Sequence, residues 1–409
     1  MTRPCFLPIA LLFAAQICAA QIDALPTTEG QPPGVGRAAD PYKVHPDVRP
    51  KIVLGPYIVA PADTSATVAW VTDIPAHSTA ILDGDGPQRE IENSQHGLIP
   101  FGRVHSVLLK DLKPGTTYQV RVVSTAVVKM QGYWPDKGVS VASEPLAFTT
   151  WDTSRPNVTF VSVSDTHEDP VRIADLMKLV DWRSTDFLVQ TGDAFNDGPR
   201  ESIVEKWLKP LLGGMTTPRP LIYGRGNHDT RGTIARELFD YVPTREGRFY
   251  YTRDIGPMHL LVVDNGEDKP DRTNVYAGLN DMAAYRNEEL AWFKEHMKTS
   301  ERAAQAPFRV AVMHQPNWAP MLESDQRDAW NEWANAAKID LVVAGHTHRF
   351  AHRKPGQSGN NDYHVIIVGQ NQLGRFAVTQ NEIVATVRNR DGSLVYETTI
   401  KRASGASGR

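Results

Sequence analysis

Short apolar runs alternate with polar clusters through the middle of the chain, from residue 157 to about residue 350. Five runs have the length and β-branched character of buried strands, and they cover residues 158–163, 187–189, 221–223, 308–313 and 339–344. Residues 173–180 and 288–297 have the apolar spacing of helices, and residues 248–252 and 258–263 predict two further strands. Apolar runs after residue 364 predict closing hairpins. Strands that alternate with helices predict an α/β domain.

The region from Pro56 to Thr150 has a different rhythm. Its short strands alternate apolar and polar residues, as in residues 65–71 and 118–123, and Gly, Pro and Asp turns separate them. This pattern predicts an all-β sandwich over residues 51–150. The stretch Leu112–Tyr118, together with Trp70 on an early strand, resembles a fibronectin type III module with its corner tyrosine.

The first twenty residues combine Arg3, an apolar stretch over Phe6–Phe13 and small residues that end at Ala20. They predict a bacterial secretory (Sec-type) signal peptide over residues 1–20, and an uncleaved anchor is the alternative. Both cysteines lie inside this segment, so the mature chain has no disulfide, and export without disulfides favours a bacterial periplasm or exterior. We therefore expect a secreted or periplasmic protein. Residues 21–50, rich in proline and glycine, predict a linker.

Composition narrows the range of partners. The chain has 409 residues, 41% of them apolar, and a formal charge of −3 that arises from 44 basic and 47 acidic residues mixed along the sequence. No basic stripe suited to a phosphate backbone is present, so nucleic acid is not an expected partner. No segment after the leader reaches the ~18 unbroken apolar residues of a membrane span, so no stable span is expected.

A polar cluster follows the end of each of the five predicted strands. The clusters are Asp165-Thr166-His167, Gly192-Asp193, Gly226-Asn227-His228-Asp229, His314-Gln315 and Gly345-His346-Thr347-His348. Because loops at the carboxyl ends of strands converge in an open α/β sheet, we expect these side chains to meet in one place. Each motif alone is common by chance, but the ordered set is specific.

The residue types in these clusters suit a pair of divalent cations. Two such ions ~3.5–4 Å apart need a carboxylate that bridges them and imidazole or carbonyl ligands around them. Asp193 is the natural bridge. The first ion would be bound by Asp165, His167 and His348, and the second by Asn227, His314 and His346. His228 is left unligated beside the substrate, and the nitrogen and oxygen ligands are compatible with Mn, Fe or Zn.

The order of these motifs resembles that of the calcineurin-like metallophosphoesterases, over about residues 157–350. The resemblance implies a four-layer α/β sandwich with helices on both outer faces, and we expect this domain to cover residues 156–402. It also implies that a metal-bridging hydroxide attacks phosphorus and that His228 protonates the leaving oxygen. Asn227 and His228 would bind the phosphate, and Asp229 would orient His228.

A β-sandwich followed by such a domain also resembles the layout of purple acid phosphatases. Those enzymes hold a ferric ion with a tyrosine three residues after the bridging aspartate, and Asn196 occupies that position here. Their first motif also lacks the histidine that this chain has at His167. The difference predicts a colourless protein with no obligatory ferric ion.

We therefore expect an exported dinuclear-metal phosphoesterase that acts on small-molecule phosphate esters, and within that class a phosphomonoesterase. The alternatives are a phosphodiesterase for nucleotide, lipid or glycerophosphodiester substrates and a non-catalytic protein that binds phosphate or a surface. The unligated His228 argues against a mere binder. Candidate pocket residues are Arg225, Arg231, Tyr276, Asn317, Trp318, Trp330 and Trp333. For the two arginines, helix capping or surface exposure is an equal alternative, and most of the tryptophans are predicted to be packing residues.

Overall fold

A computed structural model describes residues 43–130, 134–197, 200–316 and 324–402. The predicted signal peptide and residues 21–42 of the predicted linker lie outside the described residues. Residues 44–48, also assigned to the linker, run beside the sixth strand, where the backbone N–H of His45 donates to Lys137 O and Val139 N–H donates to Val48 O.

Among the described residues, the larger of two sheets has thirteen strands and continues from the N-terminal region into the α/β region. Its strands are β1 (Ile52–Val59), β2 (Ala66–Asp83), β3 (Arg89–Glu92), β4 (Phe101–Leu109), β5 (Thr117–Met130), β6 (Pro135–Ala142), β7 (Leu146–Thr149), β8 (Asn157–Val163), β9 (Phe187–Thr191), β10 (Leu221–Gly224), β17 (Gln372–Thr379), β18 (Glu382–Asn389) and β19 (Leu394–Lys401). Strands β8, β9 and β10 are parallel, whereas β17, β18 and β19 complete the edge as antiparallel neighbours.

In the part of the chain that the structure describes, the second sheet has six strands in the order β11-β12-β13-β14-β16-β15. They are β11 (Tyr251–Ile255), β12 (Met258–Val262), β13 (Phe308–Val312), β14 (Leu341–Ala344), β15 (Ala351–Arg353) and β16 (His364–Ile367). The pairs β12–β13, β13–β14 and β14–β16 are parallel. The carboxyl ends of these central strands therefore lie at one edge of the sheet.

Helices connect the parallel strands. They are α1 (Pro170–Lys178), α2 (Arg200–Ser202), α3 (Lys209–Gly213), α4 (Leu238–Tyr241), α5 (Met282–Thr299), α6 (Glu301–Gln305) and α7 (Ser324–Ala336), with a π-helical turn at Ile203–Leu208 and 3₁₀ turns at His228–Thr230, Ile234–Arg236 and Asn274–Tyr276. Helix α1 begins at Pro170, because the Asp169 side chain caps it by accepting a hydrogen bond from Arg172 N and because proline is favoured in the first turn.

The two sheets pack face to face around a shared core. Alternate residues of a strand point into this core and into a second core on the other side of the sheet. In β12, Leu260 and Val262 belong to the core between the sheets, whereas Leu261 and the following Val263 belong to a second core with Phe293 of α5. Both faces of the strand are thus buried, which explains its continuous apolar run. The outer helices cover the second sheet, and a third core lies within the N-terminal strands.

The described architecture is an α/β fold built on two mixed sheets, as expected from the sequence. The strand predicted at residues 248–252 is displaced, because β11 starts only at Tyr251. The guanidinium of Arg248 instead packs over the rings of Tyr250 and Trp292, at 4.4 and 4.1 Å. Among the described residues, none of the helices has both the length and the apolarity needed to cross a bilayer.

Candidate metal centre

The loops that follow β8, β9, β10, β13 and β14 bring all seven predicted ligands to one edge of the paired sheets. Several of these residues have left-handed backbone conformations that non-glycine residues rarely adopt. The φ angles are 53° for Asp165, 45° for His167, 48° for Asp193, 70° for His346 and 60° for His348. Strained backbone of this kind is retained where the surrounding structure enforces it, commonly at functional sites. Here it turns the donor atoms toward a common centre.

The first group of donors contains Asp165, His167 and His348, whose ligand atoms all lie within 4.8 Å of one another. His348 Nε2 is 3.3 Å from Asp165 Oδ1, and His167 Nε2 is 3.2 Å from His348 Nε2. Asp165 is fully buried, and apart from the ion-pair contact with His348 its Oδ1 makes no hydrogen bond among the described residues. A buried carboxylate oxygen without a hydrogen bond is costly, so this group of atoms fits a bound cation.

The second group contains Asp193, His314 and His346. His314 Nε2 is 3.1 Å from Asp193 Oδ2, and His346 Nδ1 is 3.3 Å from His314 Nε2. The amide oxygen of Asn227 completes the group, 3.1 Å from His346 Nδ1. The arrangement therefore offers one carboxylate, two imidazoles and one amide oxygen, a donor set suited to a divalent transition metal.

Hydrogen bonds from outside the two groups hold the imidazoles in place. His314 Nδ1 lies 2.8 Å from the carbonyl oxygen of Thr191, and His167 Nδ1 lies 3.3 Å from that of Phe195. A carbonyl oxygen only accepts, so in each ring Nδ1 carries a proton and Nε2 is directed into the site. Such contacts fix the ring orientation of metal-binding histidines.

Electrostatics link the two groups through Asp193. Burial alone would lower the pKa of His314, but the adjacent Asp193 carboxylate raises it to about 10. The pKa of Asp193 lies well below its usual range: burial opposes this shift, but the His314 charge outweighs it. Burial lowers the pKa of His167 in the first group, and the negative charge of Asp193 opposes that shift. At neutral pH a divalent cation must displace the proton shared by Asp193 and His314.

Two glycines allow the loops to approach one another this closely. A Cβ added to Gly226 would lie 2.2 Å from both the backbone nitrogen and Oδ1 of Asp193. A Cβ added to Gly345 would lie 1.7 Å from Ser164 Oγ and 2.7 Å from Asp165 Oδ2. Any side chain at these positions would displace a predicted ligand, which explains the glycines in the third and fifth motifs.

His228 lies beside the metal-binding groups and outside both of them. Its ring centroid is 5.1 Å from that of His167, and its Nδ1 donates to the carbonyl oxygen of Asn196 at 3.0 Å. Asp229 is buried and stabilises the loop instead, because its carboxylate accepts from Tyr223 Oη at 2.6 Å and Gly226 N at 2.8 Å. The structure thus places a hydrogen bond of His228 on Asn196, whereas the family resemblance implied that Asp229 would orient this ring.

One polar cluster beside the site was not singled out in the sequence. Residues 264–268, which read Asp-Asn-Gly-Glu-Asp, directly follow the apolar strand β12, so they carry the same signal as the other clusters. The Asn265 amide donates to Gln315 O at 2.9 Å, and Gln315 Nε2 donates to Gly266 O at 2.9 Å. The cluster is thereby joined to the loop that carries His314.

The predicted pocket residues have mixed positions. Arg225 is buried in an ion pair with Asp264 at 2.7 Å, and Trp330 and Trp333 belong to the outer core. Tyr276 is also buried. Asn317 and Trp318 lie outside the described residues. Of this set, Arg231 contacts a predicted catalytic residue, because its Nη1 is 3.2 Å from His228 Nε2.

Together, the fold and the site define the class of protein: a metal-dependent phosphoesterase. Residues 158–350 match the sequence model of the family described as Calcineurin-like phosphoesterase. The chain therefore contains a Calcineurin-like phosphoesterase domain, as the motif order suggested. None of the curated proteins matches this chain in sequence.

One solved structure shows the same fold at low sequence identity, and two others match with lower TM-scores. A purple acid phosphatase from yellow lupin (Lupinus luteus) seeds is similar with a TM-score of 0.62 and 13% identity, over 88% of this chain and 75% of that chain. YfcE, a phosphoesterase from E. coli, gives a TM-score of 0.30 and 14% identity, over 59% of this chain and 100% of its own. A 5′-nucleotidase from Candida albicans gives 0.35 and 12%, over 59% of this chain and 53% of its own.

Proposed function

We propose that this protein is an exported phosphomonoesterase with two divalent cations. The observation that carries the proposal is the pair of donor groups, Asp165-His167-His348 and Asp193-His314-His346, beside an imidazole that belongs to neither. A monoester offers three unesterified oxygens, whereas a diester offers two. A site that combines two cation positions with the donors of Asn227 and His228 provides more contacts for the monoester.

The chain's own residues would perform the following steps. Divalent cations, when bound, supply Lewis acidity to water and to the phosphoryl oxygens. Asn227 and His228 bind and orient the phosphoryl group at the edge of the second donor group. His228 then donates its proton to the leaving oxygen, while Asn196 holds the opposite ring nitrogen at 3.0 Å. The buried Asp193 would supply a carboxylate to hold both cations.

The preference between ester classes is tested by comparing p-nitrophenyl phosphate with bis(p-nitrophenyl) phosphate, using purified protein loaded with Mn, Zn or Fe(II). A higher kcat/KM for the monoester with every active metal is the expected result. A higher value for the diester would make the protein a phosphodiesterase. No turnover of either ester with any of the three metals would instead favour a binding protein.

Nitrogen and oxygen ligands support Mn, Fe or Zn as the bound metals. Asn196 occupies the position of the purple acid phosphatase tyrosine, and its carbonyl oxygen is engaged by His228. We therefore expect a colourless protein, which an absorption spectrum of the iron-loaded form checks. A visible tyrosinate band would contradict this expectation.

Two further proposals concern the remainder of the chain. The charge, apolar core and small residues of the first twenty positions support export to the periplasm or exterior. A fibronectin type III-like module over residues 51–150 is supported by the contact of its corner tyrosine, since Tyr118 Oη accepts from Lys113 N at 2.8 Å. The buried Trp70 and the separate core of the N-terminal strands add to this support.

A further inference from the structure

The loop that carries His314 is held by a side chain that belongs to neither donor group. Asn265 Nδ2 donates to the carbonyl oxygen of Gln315 at 2.9 Å, and Asn265 Oδ1 accepts from the backbone nitrogen of Gln315 at 3.1 Å. Asn265 is 3% exposed, and Gln315 is fully buried. The backbone N–H only donates and the carbonyl only accepts, so the orientation of the Asn265 amide is fixed. Both polar atoms of this side chain are thus bound to the backbone of one residue.

This side chain continues the pairing of two strands beyond their ends. Strands β12 and β13 are parallel neighbours, and their ladder ends at Val312. The chain after β12 then turns, because Gly266 has a φ of 61° and its N–H donates to Asp264 Oδ1 at 3.0 Å. Just before this turn, the Asn265 amide offers a donor and an acceptor to the loop after β13, as a peptide group would.

The contact acts on the peptide bond that joins His314 to Gln315. The nitrogen of this peptide bond donates to Asn265, and its carbonyl oxygen, His314 O, accepts from Gly345 N at 3.0 Å. Because a peptide group is planar, Asn265 and Gly345 together fix the plane that follows His314. The ring of His314 is bound separately, through the contact of its Nδ1 with Thr191 O at 2.8 Å. The direction of the imidazole therefore depends on backbone and ring contacts together.

We propose that Asn265 is a positioning residue for the metal ligand His314 and that it supports cation binding at the second donor group. The inference rests on the proposed function, in which two divalent cations are bound. Loss of a residue that orients metal ligands typically costs ~10- to 100-fold in metal affinity. Asn265 contacts the loop that carries His314, so the first donor group should keep its affinity.

Asn265→Leu tests the inference, because leucine has a similar size and can bond neither backbone atom of Gln315. The full chain, dialysed free of metal, is titrated with Mn, and the electron paramagnetic resonance signal of free Mn measures binding without substrate. Wild type should bind two ions per chain. The variant should bind one ion as wild type does and the other ~10- to 100-fold more weakly.

Anomalous diffraction assigns the weakened ion to one of the two donor groups. Crystals of Asn265→Leu at limiting Mn should show a strong peak at the first group, beside Asp165. The peak at the second group, beside His314, should be weak or absent. A weakened peak at the first group would overturn the inference, since the contact of Asn265 is with the loop of the second group.

Asn361→Leu is the matched control. Asn361 is 1% exposed and also holds backbone atoms, because its Nδ2 donates to Tyr363 O at 2.6 Å and its Oδ1 accepts from Ser358 N at 2.8 Å. It precedes the amino end of β16, which is parallel to β14, so it lies at the edge of the sheet opposite the ligand loops. The control should lower the unfolding midpoint, as Asn265→Leu does, and keep both Mn affinities.

The dependence of rate on Mn separates positioning from general destabilisation. For Asn265→Leu, the Mn concentration that gives half the maximal rate on p-nitrophenyl phosphate should rise by ~10- to 100-fold. The rate should recover toward that of wild type at saturating Mn. A folding defect would instead lower the rate equally at every Mn concentration and leave the half-saturating concentration unchanged, which would overturn the inference.

Failure of the inference and failure of the proposed function give different results. Two wild-type affinities in Asn265→Leu, or the same weakening in Asn361→Leu, would overturn the inference and leave the proposed function standing. Fewer than two ions bound by wild type would contradict the proposed function, and the inference would fail with it. If Asn265→Leu does not fold, the same criteria apply to Asn265→Ala, which removes both hydrogen bonds without adding bulk.

Discussion

At the residue scale, the site depends on the close approach of its loops as much as on the donor residues that they carry. Asp193, His346 and His348 have left-handed backbone conformations, and Gly226 and Gly345 leave room for neighbouring loops. The residue types and their order were sufficient to predict this set of donors. The geometry that brings them together required the structure, because strain at a single residue leaves no mark on the hydrophobic pattern.

Gly226→Ala should disrupt the site although it removes no ligand. The new methyl would lie 2.2 Å from Asp193 Oδ1, so the carboxylate must leave the position in which it contacts His314. We expect the bound metal per chain to fall and kcat to fall by at least ~10²-fold. Elemental analysis of the metal-loaded variant checks this.

Gly213→Ala is the matched control for this variant, because a Cβ at Gly213 would meet nothing within 4 Å. It should retain full metal content and rate. Wild-type metal content in Gly226→Ala would show that Asp193 is not held where the structure places it.

At the element scale, the ends of the strands were predictable and the supports of the site were not. Five apolar runs followed by polar clusters predicted which side chains lie together, since parallel strands end at one edge of the sheet. The cluster at residues 264–268 has the same form, yet its members bind no predicted metal. Glu267 and Asp268 bind Arg231, which lies 36 and 37 residues earlier in the chain, respectively. Such contacts depend on tertiary structure, and single-sequence patterns do not encode them.

The N-terminal strands should become less stable at acidic pH because of His105. This residue is buried on Trp70, and hydrogen bonds join its nitrogens to Thr72 Oγ1 and Ser78 Oγ at 2.8 Å each. Burial lowers the pKa of His105 to about 4, and the neighbouring His77 adds to the shift. The unfolded chain takes up the proton near pH 6.5 and the folded chain does not. Its contribution to stability is therefore complete above pH 6.5 and is lost as pH falls toward 4.

The size of this loss is about 2–3 kcal/mol of unfolding free energy between pH 6.5 and 4. Urea unfolding of wild type and His105→Gln at several pH values measures it, and the variant should show a shallower pH dependence. His96→Gln, at an exposed position, is the control and should follow wild type. Identical pH profiles for His105→Gln and wild type would contradict the prediction.

At the scale of the whole molecule, the two regions predicted as separate domains share one sheet. Strand β1 pairs with β2 on one side and meets β10 on the other, where Val59 is opposite Leu221. Buried Arg253 donates from Nε and Nη2 to Ala60 O at 3.0 Å, and Tyr57 Oη donates to Tyr241 O at 2.6 Å. The change in hydrophobic rhythm near residue 150 predicted the two regions. It contained no information about the strand that joins them.

This continuity predicts cooperative unfolding. Calorimetry of the full chain should show one transition, because exposure of the N-terminal core also frees the edge of β10. Two resolved transitions would show that the regions are independently stable. Deletion of residues 51–150 should accordingly give an insoluble product. It removes strand β1, which pairs with β10, and it removes the Ala60 carbonyl oxygen that accepts from Arg253.

The most direct test of the account is anomalous diffraction from crystals of the protein loaded with Mn. We expect two peaks ~3.5–4 Å apart. One peak should lie among Asp165, His167 and His348, and the other among Asn227, His314 and His346, with Asp193 in contact with both. A single peak, or two peaks that do not share Asp193, would contradict the dinuclear site on which the proposed function depends.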